Sequence, residues 1–413
     1  MAGTVLVLGA GIVGLSIALH LQRRGQQVLV VDRRGPGAGA SFGNGGLIQR
    51  EAVFPYPFPR EAGTLLRIAR NRSIDAAYHP LALPPFASPL LRYWWHSAPA
   101  RYDRAVAGYS RLILTCLDEH RDLAAETGAG DLLRPLGWMR LYDERRDLDA
   151  AAAEAEAARR DYGVGSRILD GDALAAAEPA LLRRKAGALH WTDALSLSDP
   201  QDLVLAYARR VVAAGGAILT GDAGSLERHG AAWRLRGEAG PVEAERAVVA
   251  LGAASLQVTR RFGYAPPLFP KRGYHMHYTL RDGAVLNRPV LDGDNGYLLA
   301  PMRRGVRLTT GAEFARQDAA ATPTQLARAE PVARGLLPLA ERVDAEPWMG
   351  TRPCMPDMLP VIGRVGGAED LWCAFGHGHQ GMTLGPSTGR LVAEMITGEP
   401  PFVDPAPYRP DRY

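Results

Sequence analysis

The chain has 413 residues, 47% of them hydrophobic, and a formal net charge of +4 at pH 7. That length exceeds what one simple core holds, so two domains or one elaborated domain are expected. With so small a charge, no block of like charges and no basic stripe interleaved with aromatics, the composition argues against a nucleic-acid partner and for a mildly basic, solvated surface.

The first element is the apolar run Thr4 to Leu8, which reads as a buried parallel strand. It enters the turn GAGIVG, with glycines at 9, 11 and 14. An amphipathic helix runs on to about Arg24, Gly25 ends it, and a second apolar run from Val28 to Val31 finishes in Asp32. Gly9 lets the strand turn tightly, Gly11 lets backbone approach a pyrophosphate, and Gly14 lets the helix pack closely on the strand. The helix start at Ile12 presents free N–H groups and the positive end of a dipole to phosphates. Asp32, followed by Arg33, sits where a carboxylate can accept bonds from ribose hydroxyls. This is a dinucleotide-binding unit, and alone it does not separate NAD from FAD.

The stretch Val5 to Leu21 is not read as a signal segment, because no basic region precedes it and the nucleotide turn explains its glycines. No other run approaches the ~20 apolar residues of a spanning helix. Cys116, Cys354 and Cys373 form no CxxC pair, and so sparse and odd a set suggests a reducing compartment. The expected location is cytoplasmic, with peripheral contact at the inner face of the cell membrane left open.

After Asp32 comes the glycine-rich loop GPGAGASFGNGGLIQ (35–49), too polar to be core. Residues 54–102 then interleave Phe54, Tyr56, Phe58, Tyr93, Trp94, Trp95 and Tyr102 with prolines. This is too aromatic for a disordered linker and is expected to pack as an irregular insert or lid. It serves either as an active-site wall or docking surface, or simply as packing under loops. Residues 110–126 and 147–160 read as helices, the second with a solvated face. Asp199-Pro200 supplies an N-cap and an N1 proline for a helix that Gly215 and Gly216 stop, and Ala217 to Thr220 returns as a strand. Ala244 to Ser255 reads as a buried strand ending at Gly252, where a nucleotide sheet meets its ligand again.

From 268 to 314 the pattern changes to alternating strands, which suggests a separate mixed or antiparallel sheet. Thr322-Pro323 with Gln325 forms a candidate capping box for a further helix. The final segment, Phe375 to Gly398, reads as a strand end, a glycine loop and a helix starting near Gly381. That helix start would aim backbone N–H groups from Gly378, Gln380, Gly381, Met382 and Thr383 at an anionic ligand atom. A reduced flavin carries negative charge at its N1/O2 edge and a nicotinamide has no such requirement, so FAD is favoured.

Three segments together resemble the FAD-dependent amino acid oxidoreductases that include D-amino acid dehydrogenase, glycine oxidase and sarcosine oxidase. They are GAGIVG with Asp32; the ASFGNGG loop (40–46); and the pair WMGTRPCMPDMLPVIGR and FGHGHQGMTLGPSTG. The long aromatic insert looks more like the D-amino acid dehydrogenase branch. The resemblance implies an α/β fold: a discontinuous Rossmann-like FAD-binding domain (1–50, 196–258 and 345–413) and a substrate domain with a mixed or antiparallel sheet (51–195 and 259–344, with the insert at 52–105). It implies that Ser41, Asn44, Gly45, Gly46 and Leu47 run beside the isoalloxazine, and that the final glycine loop covers its pyrimidine edge.

The resemblance further implies oxidative deamination of a D-amino acid by hydride transfer from Cα to flavin N5. Electrons would pass to a quinone or other carrier. Cyclic substrates such as D-proline or cis-4-hydroxy-D-proline fit it; the alternative is an oxygen-using oxidase of glycine, sarcosine or a similar small amine. Arg352 matches the arginine that binds the substrate carboxylate in this family, and a planar guanidinium independently offers two parallel donors to a carboxylate. Tyr297 aligns with a tyrosine that helps hold that carboxylate, or is a structural strand residue. His379 contacts substrate through its side chain or contributes backbone to the flavin loop. His275 and His277 share one strand face, but no third ligand supports a metal site. Lys271 and Tyr274 line the pocket or close the domain junction. Gly350 stands where sarcosine oxidases carry the cysteine that attaches flavin, and Cys354 lies too close to Asp357 to replace it, so the FAD is expected to be non-covalent. Met355 replaces the usual threonine before Pro356-Asp357.

Overall fold

The computed structural model of the chain describes residues 3–413. Two large sheets organise its α/β fold. In the first, of eight strands, Thr4–Leu8 lies in the middle. Gln27–Asp32 and the start of Ala217–His229 follow in parallel on one side, and Arg246–Val249 and Leu371–Phe375 in parallel on the other. Strands covered on both faces need apolar residues at every position, which is why Val5, Leu6, Val7 and Leu8 are all wholly buried. Helix Ile12–Arg23 packs against Pro200–Ala213 and against the C-terminal helix Gly381–Thr397. The last contact is at backbone distance: a Cβ added to Gly389 would lie 2.6 Å from the Ser16 carbonyl carbon. Asp199 caps Pro200–Ala213, accepting from the N–H groups of Gln201 and Asp202.

Ala217–His229 continues beyond Thr220 and folds back with Ala232–Gly237 and Gly240–Ala244 as an antiparallel ribbon at the sheet edge. Its exposed positions are polar, so no long apolar run marked it. The segment 244–255 accordingly divides between the ribbon's end and the buried strand Arg246–Val249.

The second sheet has eleven strands around Phe269–Leu280, which pairs antiparallel with Gly305–Thr309 and with Trp348–Cys354. It is mixed, because Val290–Asp292 runs parallel to Trp138–Tyr142. Along Phe269–Leu280 side chains alternate. Tyr274, Met276 and Tyr278 enter a core under helix Thr324–Leu336, while Lys271, Gly273, His275 and His277 face the other way. Register places Arg352, Gly350 and Trp348 on that second face, opposite Lys271, Gly273 and His275.

This corrects the boundary expected at 345, since Trp348–Cys354 belongs to the second sheet. Helices Pro99–Ile113 and Cys116–Thr127 also pack on the C-terminal helix, so 51–195 is not one unit. The single helix expected over 110–126 breaks between these two. The insert is largely helical, with Ala62–Ala69, Leu83–His96 and the start of Pro99–Ile113. Pro84, Pro85 and Pro99 sit in first turns, where the missing N–H has no helical partner to lose. The capping box at 322–325 does not form. Helix Thr324–Leu336 has no side-chain cap; the Thr322 hydroxyl donates to Glu313 instead, and Gln325 Nε2 donates to the Ile74 carbonyl at 2.7 Å. A carboxylate is a stronger acceptor partner for that hydroxyl than the cap geometry provides.

Candidate active site

At the nucleotide end, Gly9 has φ 110°, and a Cβ there would meet the Ala250 carbonyl at 2.5 Å. A Cβ at Gly14 would lie 1.9 Å from the Gly9 oxygen, so only glycine permits this helix-to-strand contact. No side chain caps the helix at Gly11, although Ser41 Oγ accepts from the Ile12 N–H at 3.1 Å. Asp32 accepts from the N–H groups of Ala10 at 3.0 Å and Arg34 at 2.8 Å, which fixes its carboxylate at the strand end. Arg33 is exposed and borders an open cleft of about 470 Å³ with Thr220 and Glu238. This cleft belongs to the nucleotide end and contains none of the residues around Arg352. Gly252 begins a short 3-10 turn beyond Arg246–Val249.

The loop 41–49 crosses from this end to the second sheet. Asn44 Oδ1 accepts from the Gly46 N–H at 2.8 Å, and Leu47 pairs with Ser196. A Cβ on Gly45 would meet the Leu298 side chain at 2.8 Å and one on Gly46 the Met302 side chain at 2.6 Å, so this loop packs tightly on side chains of the second sheet. Arg307 Nη1 donates to the carbonyls of Phe42 and Asn44, and its Nε donates to His277 Nε2 at 3.0 Å. His277 Nδ1 is 2.7 Å from Asp344. That accounts for one histidine of the pair. His275 stacks on the Trp348 indole, whose ring fills the space over Gly43 and Gly350. No group of metal-ligating side chains occurs among the described residues.

The start of the C-terminal helix is tied to the same loop. Thr383 Oγ1 donates to Gln380 Oε1 at 2.7 Å, and Gln380 Nε2 donates to Gln49 Oε1 at 2.9 Å. Gln49 Nε2 donates to Glu51 at 2.9 Å, and the Trp138 indole N–H donates to the same oxygen at 2.6 Å. Glu51 is buried, and burial pushes its carboxyl up to about 7. Met382 and Thr383 are buried, so at the helix start they offer backbone N–H groups rather than side chains. Gly378 donates its N–H to the Pro353 carbonyl at 2.7 Å, joining this turn to the strand that carries Arg352.

The opposite end of the site centres on Arg352. Its guanidinium lies over Gly273, where a Cβ would fall 2.7 Å from Nη2. Nη1 donates to the carbonyls of Gly311 at 2.8 Å and Arg272 at 3.4 Å, and Nη2 to Thr310 at 3.3 Å. Among the described residues no carboxylate pairs with it. Burial lowers its pKa from the ordinary arginine value. Its cross-strand neighbour Lys271 stands over the rings of Tyr93, Phe269 and Phe314. The His379 ring meets Tyr56 edge-on at 4.6 Å. His379 and Tyr56 are both solvent-accessible in this structure. Loss of water around it, followed by the charges of Arg352 and Lys271, pushes His379 down to about 3, so its ring is neutral at ordinary pH.

Tyr297 does not join this group. It pairs with Asp292 across the strands and enters the core that holds Tyr274 and Met276, while its neighbour Leu298 faces Gly45 of the loop 41–49. Side-chain alternation puts the Tyr297 hydroxyl on the opposite face of the sheet from Arg352. Tyr274 likewise turns away, donating to Glu313 at 2.8 Å. Glu51, Arg307 and Trp348 join the site although no local motif marks them for it. For Trp348 the sequence does hold a sign, in glycines 43 and 350, but nothing local relates the two positions.

The residues present fit a bound FAD: an uncapped helix start at Gly11, an acid fixed at the second strand's end, and glycines 45 and 46 where backbone approaches a sheet face. A profile of FAD dependent oxidoreductases, the DAO family, matches residues 4–395. The chain is 30% identical to a D-amino-acid oxidase of Bradyrhizobium diazoefficiens, over 99% of this chain and 98% of the relative. It is 32% identical to a D-amino acid dehydrogenase of Cereibacter sphaeroides, over 99% of this chain and 95% of the relative. Glycine oxidase from Geobacillus kaustophilus shares the fold, with a TM-score of 0.74 over 100% of both chains at 22% identity.

Proposed function

The chain belongs to the DAO family of FAD dependent oxidoreductases, and on that premise we propose that it oxidises a D-amino acid to the imino acid, which water hydrolyses to the keto acid and ammonia. The observation that carries this reading is Arg352, a guanidinium oriented by three backbone carbonyls and given no counter-charge among the described residues. A desolvated cation of that shape is stabilised by a bidentate carboxylate. FAD, when bound, supplies at flavin N5 the acceptor for the hydride leaving Cα. Arg352 fixes the carboxylate and thereby the direction of the Cα–H bond, and such positioning is worth several orders of magnitude in rate. His379, neutral at working pH, and Tyr56 close the pocket without adding charge. With no acid–base pair at hand, the amine enters neutral and orientation does most of the work.

The D configuration rests on the names of the relatives. Neither relative named above specifies a ring-bearing substrate, so D-proline and cis-4-hydroxy-D-proline belong in a substrate panel without priority. Anaerobic mixing of the FAD-loaded protein with D- and L-amino acids tests the reading: bleaching by D-isomers supports it, and an unchanged flavin spectrum with every amino acid overturns it.

For the acceptor we propose a quinone or protein carrier, following the dehydrogenase relatives. The second reading, an oxygen-using oxidase of glycine, sarcosine or a similar small amine, is favoured by the oxidase among the relatives. Oxygen uptake per substrate consumed, with and without a quinone analogue, separates the two. No helix among the described residues is long and apolar enough to cross a membrane. The insert nevertheless exposes Leu66, Leu81, Leu91 and Trp95. Between Arg60 and Arg104 it carries seven arginines against three acidic residues. That combination suits peripheral contact with the anionic inner face of a cell membrane.

A further inference from the structure

We propose that the pocket is built for an acidic D-amino acid, one carboxylate bound by Arg352 and the second by Lys271. This rests on the reading of Arg352 as the carboxylate anchor. Lys271 and Arg352 are directly opposed in antiparallel register, so both side chains rise from the same face of the sheet. Like charges at such positions repel, and the usual remedy is a carboxylate between them. Here neither cation has one within 4.0 Å among the described residues.

The fold instead holds each cation apart from its neighbour. Arg352 lies across Gly273 and is fastened to backbone carbonyls. The Lys271 ammonium sits 4.4 Å from the centre of the Tyr93 ring and 3.5 Å from its hydroxyl, with Phe269 and Phe314 beyond. Aromatic faces attract a cation but do not neutralise it. Tyr93 comes from the insert helix Leu83–His96, so the insert packs over Lys271 and leaves it half-buried. Both cations depress His379, in keeping with their shared face of the sheet. An occupant with a single carboxylate leaves one of them unmatched, whereas a dicarboxylate matches both. An apolar residue at 271 would pack against Tyr93, Phe269 and Phe314 with no desolvation cost, so packing does not explain a lysine there.

The test compares acids with their amide isosteres on the FAD-loaded enzyme: D-aspartate against D-asparagine, and D-glutamate against D-glutamine, by anaerobic flavin bleaching. A binding arm compares glutarate with butyrate by their perturbation of the flavin spectrum. The expected result is a preference of about tenfold or more for the acids in kcat/KM and for glutarate in Kd. Lys271→Met brings both ratios close to one, and Lys271→Arg retains them. Wild-type ratios near one, or a Lys271→Met variant that slows acids and amides by the same factor, would overturn the proposal while leaving amino acid oxidation intact. Absence of bleaching by any amino acid would overturn the Arg352 reading beneath it as well.

Discussion

At the scale of single residues, the site depends on side chains whose partners are backbone. Arg352 is oriented by carbonyl groups and by the bare surface of Gly273. Arg352→Ala is therefore expected to lower kcat/KM by about a hundredfold or more, and Arg352→Lys to recover little, because one ammonium cannot reproduce two parallel donors. Gly273→Ala touches no substrate, yet its methyl displaces the guanidinium and should raise KM in the same direction. Tyr297→Phe should leave steady-state constants unchanged, since its hydroxyl is on the far face; a marked rise in KM would return it to the pocket. Glu51 supplies a pH-dependent test of a different kind. Its carboxyl is raised by burial to about 7, so the protonated form is favoured in the fold. Well below the ordinary carboxyl range both states hold the proton and no penalty exists. As pH rises from about 4.5 through 7 the unfolded chain ionises first, and stability is lost. Glu51→Gln should match the wild type in acid and exceed it by about 3 kcal/mol above that window. Urea melts in mild acid and at mildly alkaline pH check this, and an equal effect in both contradicts it.

Among elements, the clearest lesson comes from glycines. Gly381, Gly385 and Gly389 read as part of a glycine loop and helix that end the nucleotide fold, but the last two are interior helix positions. They are there because the C-terminal helix crosses Ile12–Arg23 at backbone distance. Gly389→Ala should cost about 1–3 kcal/mol through overpacking and, by shifting the helix start at Gly381, speed loss of FAD. Flavin fluorescence released on dilution measures the second effect, and unchanged release would mean the two helix starts are independent. The insert teaches the converse. Its prolines read as an irregular segment, whereas Pro84, Pro85 and Pro99 open helices. Helix Ala62–Ala69 buries none of its residues, and Trp95 is exposed with Arg101 stacked 3.6 Å over its ring. The protein is expected to co-sediment with phosphatidylglycerol vesicles at low salt and less so at high salt. Leu91→Glu with Trp95→Glu should remain in the supernatant; equal partition of variant and wild type would count against membrane contact.

For the whole molecule, fold class and cofactor end were legible because glycine spacing and apolar runs are local properties. Thr4–Leu8, Gln27–Asp32 and the helix between them form within one stretch of chain, and each residue's task is set by its immediate neighbours. Arg352 was singled out by its motif, and the proposed function rests on it. The turn of Tyr297 into the opposite core was not legible, because which face of a strand meets which neighbour depends on partners far away in sequence. The ribbon beyond Thr220 and the placement of Trp348–Cys354 in the second sheet were hidden for the same reason. Lys271 was visible, but its meaning depended on register with Arg352, which no local pattern contains.

The central strand Thr4–Leu8 is also made before every strand it pairs with, and it is completed late. Its neighbour Arg246–Val249 leaves the ribosome more than two hundred residues afterwards, and the helix that seals Ile12–Arg23 ends at Thr397. For most of its synthesis, then, an apolar strand with one edge open waits beside a half-built nucleotide site, a state prone to association and to chaperone capture. Nascent chains arrested before Gly381 should retain no FAD, and chains released after Thr397 should take it up. The enzyme's flavin is in that sense a proof of passage: only a chain whose translation has carried it through the sealing helix can keep one.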